Sequence, residues 1–214
     1  MKIALFGASG RIGQQITLEA LVRGLEVKAL VRDPEGFTIA HPRLKVARVD
    51  LLDLASVAES ITDADVVVNA TGDHSTDPRT FFVDSTRVLV EGLQRVGGKR
   101  LIIVGGAGSL EVTPGIQLVD TPEFHEEWRP TSRAQRETLD LYRASDINWT
   151  FSSPSALIAP GKRTGKYRLG ADQLLINEQG ESYISIQDYA LALLDEIEKP
   201  QFIRQRFTAM SLEK

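Results

Sequence analysis

The sequence predicts an α/β fold, a doubly wound, mostly parallel sheet of about seven strands with helices on both faces in three layers, and three observations predict it. Short runs of β-branched and apolar residues alternate with longer segments of helical pattern, as successive βαβ units require. Two of the runs, Val66-Val67-Val68 and Leu101-Ile102-Ile103-Val104, are apolar at consecutive positions, which suits strands covered on both faces. The first run leads straight into a glycine-spaced turn, Gly7-Ala8-Ser9-Gly10-Arg11-Ile12-Gly13, that opens a helical pattern.

Strands are predicted over Lys2–Phe6, Glu26–Val31, Leu44–Val49, Asp65–Asn69, Leu101–Val104 and Trp149–Phe151. A helix from Arg11 to Arg23 ends at Gly24, and one through Phe81–Val96 ends at Gly97-Gly98, where glycine takes the left-handed cap. Asp53 is placed to cap a helix through Ile61, and Asp188 to cap one through Glu198 that stops before Pro200. Two stretches break the pattern. Glu111–Pro130 collects Pro114, Pro122 and Pro130 and reads as a long loop over one sheet edge. Pro154–Gly180 contains Gly161, Gly165 and Gly170 and reads as short strands or turns. Within one domain spanning 1–214, both would wall a substrate pocket at the carboxyl ends of the strands.

Composition narrows the functional classes. The 25 Lys and Arg against 29 Asp and Glu give a net charge of -4, with the cations scattered, so no footprint for nucleic acid or an anionic membrane is present. The absence of cysteine excludes disulfides, thiolate zinc sites and cysteine nucleophiles. The apolar run at Ile3-Ala4-Leu5-Phe6 is too short for a signal peptide, and no stretch approaches the ~18 apolar residues of a membrane span, so a cytoplasmic location is expected. Monomer and dimer both remain open.

The glycine turn carries the chemistry. Gly7 permits the tight turn, Gly10 removes the Cβ that would keep a pyrophosphate from the backbone, and Gly13 lets the helix pack closely on its strand. Ser9, Arg11 and Ile12 complete the loop, and the helix N-terminus offers N–H groups and a positive dipole to phosphate. This is the dinucleotide-binding turn of the Rossmann type. The second strand ends in Val31-Arg32-Asp33, where domains that prefer NAD carry an acid for the ribose 2′-hydroxyl. An arginine fork there suits the 2′-phosphate of NADP, with Arg11 closing on the same group or on the adenine face. The alternative is a solvated Arg32 with Asp33 on the hydroxyl of NAD. Asp50-Leu51 after the third strand is placed to touch the adenine, and Ala70-Thr71-Gly72, following Asn69, to line the ribose; Asp50 as a turn residue and Asn69 as a cap are the competing readings.

Together with Val104-Gly105-Gly106-Ala107-Gly108-Ser109-Leu110 and Trp149-Thr150, these segments resemble the atypical short-chain dehydrogenase/reductases over nearly the whole chain. Within that group the chain is most similar to the NAD(P)H-binding flavin reductases and NADH-flavin reductase-like proteins. The resemblance implies NADP(H) across the crevice, with Gly105 after the fifth strand and Pro154-Ser155 after the sixth among the cofactor contacts, unless Pro154 merely ends its strand. It also implies a substrate-orienting hydroxyl near Ser109, for which a plain loop serine is the alternative.

One departure matters. The wider superfamily uses a Tyr-x-x-x-Lys pair to pass a proton to the substrate, and none of the four tyrosines here has lysine four positions later. By register, Arg129 and Arg133 fall at those places with Glu137 following, and arginine is a poor general acid. Tyr142 lies nearby but in the later turns, where packing against the sheet is expected. The expected activity is therefore hydride transfer from NADP(H) to a flat conjugated acceptor such as a flavin or quinone, with Arg133 and Ser109 stabilising its charge. The competing reading is a non-catalytic NADP(H)-binding redox sensor, as in the NmrA-like branch. His125-Glu126-Glu127 lacks the spacing of a metal site, and no metal is expected; His74 reads as a turn residue behind the crevice.

Overall fold

The computed structural model describes residues 1–73 and 76–213. His74 lies outside the described residues. In chain order the elements are β1 (Lys2–Phe6), α1 (Arg11–Val22), β2 (Glu26–Val31), β3 (Leu44–Arg48), α2 (Leu54–Ile61), β4 (Val66–Asn69), α3 (Pro78–Arg95), β5 (Arg100–Val104), β6 (Glu111–Thr113) and β7 (Ile116–Gln117). They continue with α4 (Arg129–Ala144), β8 (Trp149–Ser153), β9 (Leu157–Ala159), β10 (Tyr167–Gly170), β11 (Tyr183–Ser185), α5 (Ile186–Glu198) and β12 (Gln205–Ser211).

The main sheet has eight strands rather than about seven, in the order β10-β12-β8-β5-β4-β1-β2-β3. All pairs are parallel except β10 with β12, an antiparallel strand at one edge. Strand order reverses between β1 and β4, and that switch point is where a doubly wound sheet opens its ligand crevice. The predicted βαβ alternation and the buried runs hold: Val67, Val68, Leu101 and Ile102 have no exposed surface. Side chains of alternate parity build two cores. One packs Ile3, Leu5, Val68 and Phe207 under Ile16, Tyr189 and Leu193 of α1 and α5. The other packs Phe6, Val67, Ile103 and Phe151 under Val57, Leu89 and Tyr142 of α2, α3 and α4.

Capping decides the helix boundaries. Asp53 caps α2 by accepting from Ala55 N at 3.0 Å. α3 starts three residues before the predicted Phe81, because Asp77 accepts from Thr80 N and Pro78 supplies a preset first-turn φ. For α5 the cap is Ser185, not Asp188: the Ser185 hydroxyl accepts from Asp188 N at 2.9 Å. Asp188 sits in the first turn, fully buried, where its carboxylate accepts from Thr164 N, Thr164 Oγ1 and Gly165 N.

The two irregular stretches acquire definite structure. Residues 111–128 form the β6–β7 hairpin and two 3₁₀ turns, at Leu118–Asp120 and Glu126–Trp128. In the second stretch, residues 160–166 are fastened to the α1–α5 layer by Asp188 and by Arg163, which donates to Glu19 at 2.9 and 3.0 Å. Among the described residues no helix is long and apolar enough to cross a membrane.

Candidate functional site

At the switch point lies a crevice of about 400 Å³. The β1–α1 turn forms its floor. Gly7 has φ +73°, and a Cβ there would lie 2.5 Å from Ala70 O, so both handedness and close approach demand glycine. At Gly13 an added Cβ would collide with Gly7 O, which fixes the helix against the turn. Gly10 differs: its φ is -71°, and an added Cβ would meet only Gly7 O, at 3.3 Å. Its bareness serves the crevice, which Gly10 lines, and not the packing. Gly10 is also the N-cap of α1 without a side-chain cap, and the first turn holds no acid, so the helix terminus faces the crevice with its N–H groups and dipole uncompensated.

Of the sequence-predicted cofactor residues, Gly7, Ser9, Gly10, Arg11, Ile12, Arg32, Asp50, Leu51, Ala70, Thr71 and Gly72 all line this crevice. Gly13 lies beneath it in the turn. Arg11 and Arg32 are exposed at its mouth, and neither has an ion-pair partner among the described residues. Asp33 is turned into its own loop, where Oδ1 accepts from Glu35 N at 3.1 Å. Asp50 does both things the sequence allowed: it lines the crevice, and its Oδ1 accepts from Leu52 N at 2.9 Å. Asn69 fixes the turn after β4, its Oδ1 accepting from Thr71 N at 3.1 Å and Thr71 Oγ1 at 2.7 Å.

Other predicted residues are placed elsewhere. Gly105 is covered by the Phe151 ring and borders a small chamber behind Thr71. Pro154 and Ser155 are buried, and the Ser155 hydroxyl donates to Ala209 O at 2.9 Å. Ser109 does not reach the crevice: it is buried, and both its carbonyl and hydroxyl oxygens accept from Arg206 Nη1, at 2.9 and 2.8 Å. Arg206 also pairs with Asp172, so this buried guanidinium ties the loop after β5 to the loop after β10. Arg133 is exposed in a separate groove between the start of α3 and α4, beside Pro78, Arg79 and Glu137. Arg129 organises the preceding loop, donating to Val119 O, to Phe124 O at 3.0 Å and to Glu126 at 2.9 Å. Glu137 forms a bidentate pair with Arg79. Tyr142 packs between Trp149 and Phe151 with its hydroxyl near Thr86 and Asn69, and burial pushes its pKa up to about 12.

Sequence reasoning missed Phe81, Ile158 and Ile186, which line the crevice from α3, β9 and α5. The sole signal for them was apolarity beside a helix or strand end, which core residues share. Among the described residues no cluster of His, Asp or Glu could hold a metal ion.

Fold and crevice together define a dinucleotide-binding domain. The chain belongs to the NAD(P)H-binding family, whose model matches residues 7–200. It is 43% identical over 99% of both chains to the uncharacterized protein YwnB of Bacillus subtilis. Among solved structures it is similar to a candidate NADH-flavin reductase from Streptococcus pneumoniae, with 34% identity, a TM-score of 0.87 and 99% of each chain covered. It is also similar to a candidate epimerase from Bacteroides thetaiotaomicron, with 39% identity, a TM-score of 0.91, and 100% and 98% covered.

Proposed function

We propose that this protein is an NADP(H)-dependent oxidoreductase that delivers hydride to a flat conjugated acceptor of the flavin or quinone type. The observation that carries the reading is the distribution of charge along the crevice. Its ionisable lining residues among those described are Arg11, Arg32 and Asp50, all on the side of β1, β2 and β3. That side takes the adenosine half of a dinucleotide, and the nicotinamide half falls over β4, β5 and β8. Arg32 and Arg11 would then hold the 2′-phosphate; Asp33, whose Oδ1 holds its own turn, is not among the residues lining the crevice.

When bound, NADPH supplies a hydride, that is, one proton with two electrons. The α1 terminus and Gly10 would seat the pyrophosphate. Leu51 and Phe81 would cover the adenine, and Ile12, Ile158 and Ile186 would keep water from the reacting face. Tyr142, the ionisable group of the neighbouring chamber, is buried with its hydroxyl against Thr86 and its pKa pushed up to about 12, so the second proton needed to complete reduction would come from water. A flavin or quinone ring disperses the negative charge meanwhile; a simple carbonyl does not.

The same lack of a ready proton donor favours a second reading, a module that binds NADP(H) without turnover and signals its redox state. Epimerisation by direct proton transfer would need an acid–base group at the reacting carbon, and the described lining beyond β4, Ala70 to Gly72 with Phe81, Ile158 and Ile186, holds no ionisable side chain. The test is absorbance at 340 nm with NADPH and, in turn, a flavin, a quinone and a carbonyl acceptor. Oxidation with the first two supports the reductase. Tight NADPH binding with none of them selects the sensor.

A further inference from the structure

Three residues of α4, Gln135, Thr138 and Tyr142, face the small chamber beside the crevice, and Gln135 is the one whose side chain reaches the loop after β5. Arg133 and Gln135 lie about 200° apart around a helix, so when one is exposed to solvent the other is turned inward. A Cβ built at Gly106 would fall within contact distance of Gln135 Oε1, which places the side-chain amide against the backbone leaving β5. Gln135 also lines the small chamber bounded by Asn69, Thr71, Gly105 and Tyr142, and Thr71 is shared between that chamber and the crevice.

The neighbouring polar groups are already engaged. Asn69 Oδ1 accepts twice from Thr71, Thr138 Oγ1 donates to Gln135 O at 2.8 Å, and the Tyr142 hydroxyl meets Thr86 and Asn69. The side-chain amide of Gln135 has no hydrogen-bond partner among the described residues. An amide carries a donor and an acceptor side by side and no charge, the complement of two vicinal hydroxyls.

We propose that Gln135 is a cofactor-contacting residue that hydrogen-bonds the ribose hydroxyls of the nicotinamide half and so sets the ring against the loop after β5. The proposal rests on the NADP(H) reading above and adds a residue to it. Gln135 positions and transfers no proton, so it leaves the second proton to water.

Calorimetry of Gln135→Leu and Gln135→Glu with two ligands tests it: NADPH, and adenosine 2′,5′-bisphosphate, which carries only the adenosine half. The Leu variant is expected to bind NADPH roughly tenfold more weakly, one hydrogen bond's worth, with the bisphosphate unchanged. The Glu variant keeps an acceptor, so it should recover part of the loss and add to the wild-type profile, whose crevice already holds Asp50, a further pH dependence of NADPH affinity in the carboxylate range. Should the Leu variant fail to fold, that further pH dependence carries the test alone. Equal losses for both ligands, or no loss for NADPH, would overturn the assignment of Gln135. Failure of the wild-type protein to bind either ligand would instead overturn the cofactor reading itself.

Discussion

Replacing Arg32 with Ala isolates the 2′-phosphate contact from the rest of the cofactor site. The side chain is exposed and makes no ion pair within the described protein, so its removal should change folding stability by less than about 0.5 kcal/mol. Its value lies in the complex. A charge-assisted hydrogen bond to phosphate is worth about 1.5–3 kcal/mol, which corresponds to a loss of about 10- to 150-fold in NADPH affinity. Because Arg11 lines the same mouth, the lower part of that range is expected, with the full loss only in the Arg11→Ala/Arg32→Ala pair. The open mouth also makes the contact salt-sensitive: raising ionic strength should narrow the gap between wild type and variant. Fluorescence titration with NADPH and NADH side by side is the assay. NADH affinity should barely move in Arg32→Ala; equal losses for both cofactors would refute assignment of Arg32 to the 2′-phosphate.

Gly10→Val should abolish binding of both cofactors while the thermal melt stays within a few degrees of wild type, since its backbone φ is ordinary; a folded variant that still binds would refute the phosphate-turn reading. Gly13→Ala is the contrasting change, and its collision with Gly7 O should lower the melting temperature. Tyr142→Phe and Arg133→Met should each leave turnover within about twofold, because one is sealed in the core and the other lies outside the crevice. A large loss in Tyr142→Phe, with a limb missing from the pH profile, would identify Tyr142 as a proton donor. Glu19 is held below the usual carboxylate range by Arg163 first and Arg23 second, against the opposing effect of burial. That stabilisation is present at neutral pH and is lost as pH falls through the carboxylate range, so Glu19→Gln should cost about 1–3 kcal/mol at pH 7 and much less near pH 3, measured by urea unfolding.

The crevice was legible because its determinants are local. A strand, a glycine turn and a helix lie within Lys2–Val22, and Arg32, Asp50 and Thr71 sit directly after strands whose apolar runs mark their own ends. The placement of Ser109, Arg129 and Arg133 was not, because it depends on contacts distant in sequence. Ser109 is turned from the crevice by Arg206, 97 residues away, and nothing in the loop's own sequence records that partner. Strand β12 itself was invisible as a pattern: Arg206 and Thr208 alternate with Phe207 and Ala209, yet all four are buried, so alternation of polarity no longer marked a solvent face. The register of α4 failed for a related reason. Arg129 and Arg133 matched the spacing of the missing pair, but the helix turns Gln135 and Thr138 toward the sheet ends instead.

Hydride transfer without a protein proton donor can be followed in a single turnover by stopped flow. Enzyme-bound NADPH would be mixed with a quinone and the loss of absorbance at 340 nm followed from pH 6 to 9, with 4-deuterated NADPH as a parallel series. Deuteration should slow the observed step, which identifies it as hydride transfer, and the rate should be level across the whole range. A limb in the pH profile that belongs to the enzyme would mean that a protein group delivers the proton, and the absence of any NADPH oxidation would mean that the protein is no reductase of quinones.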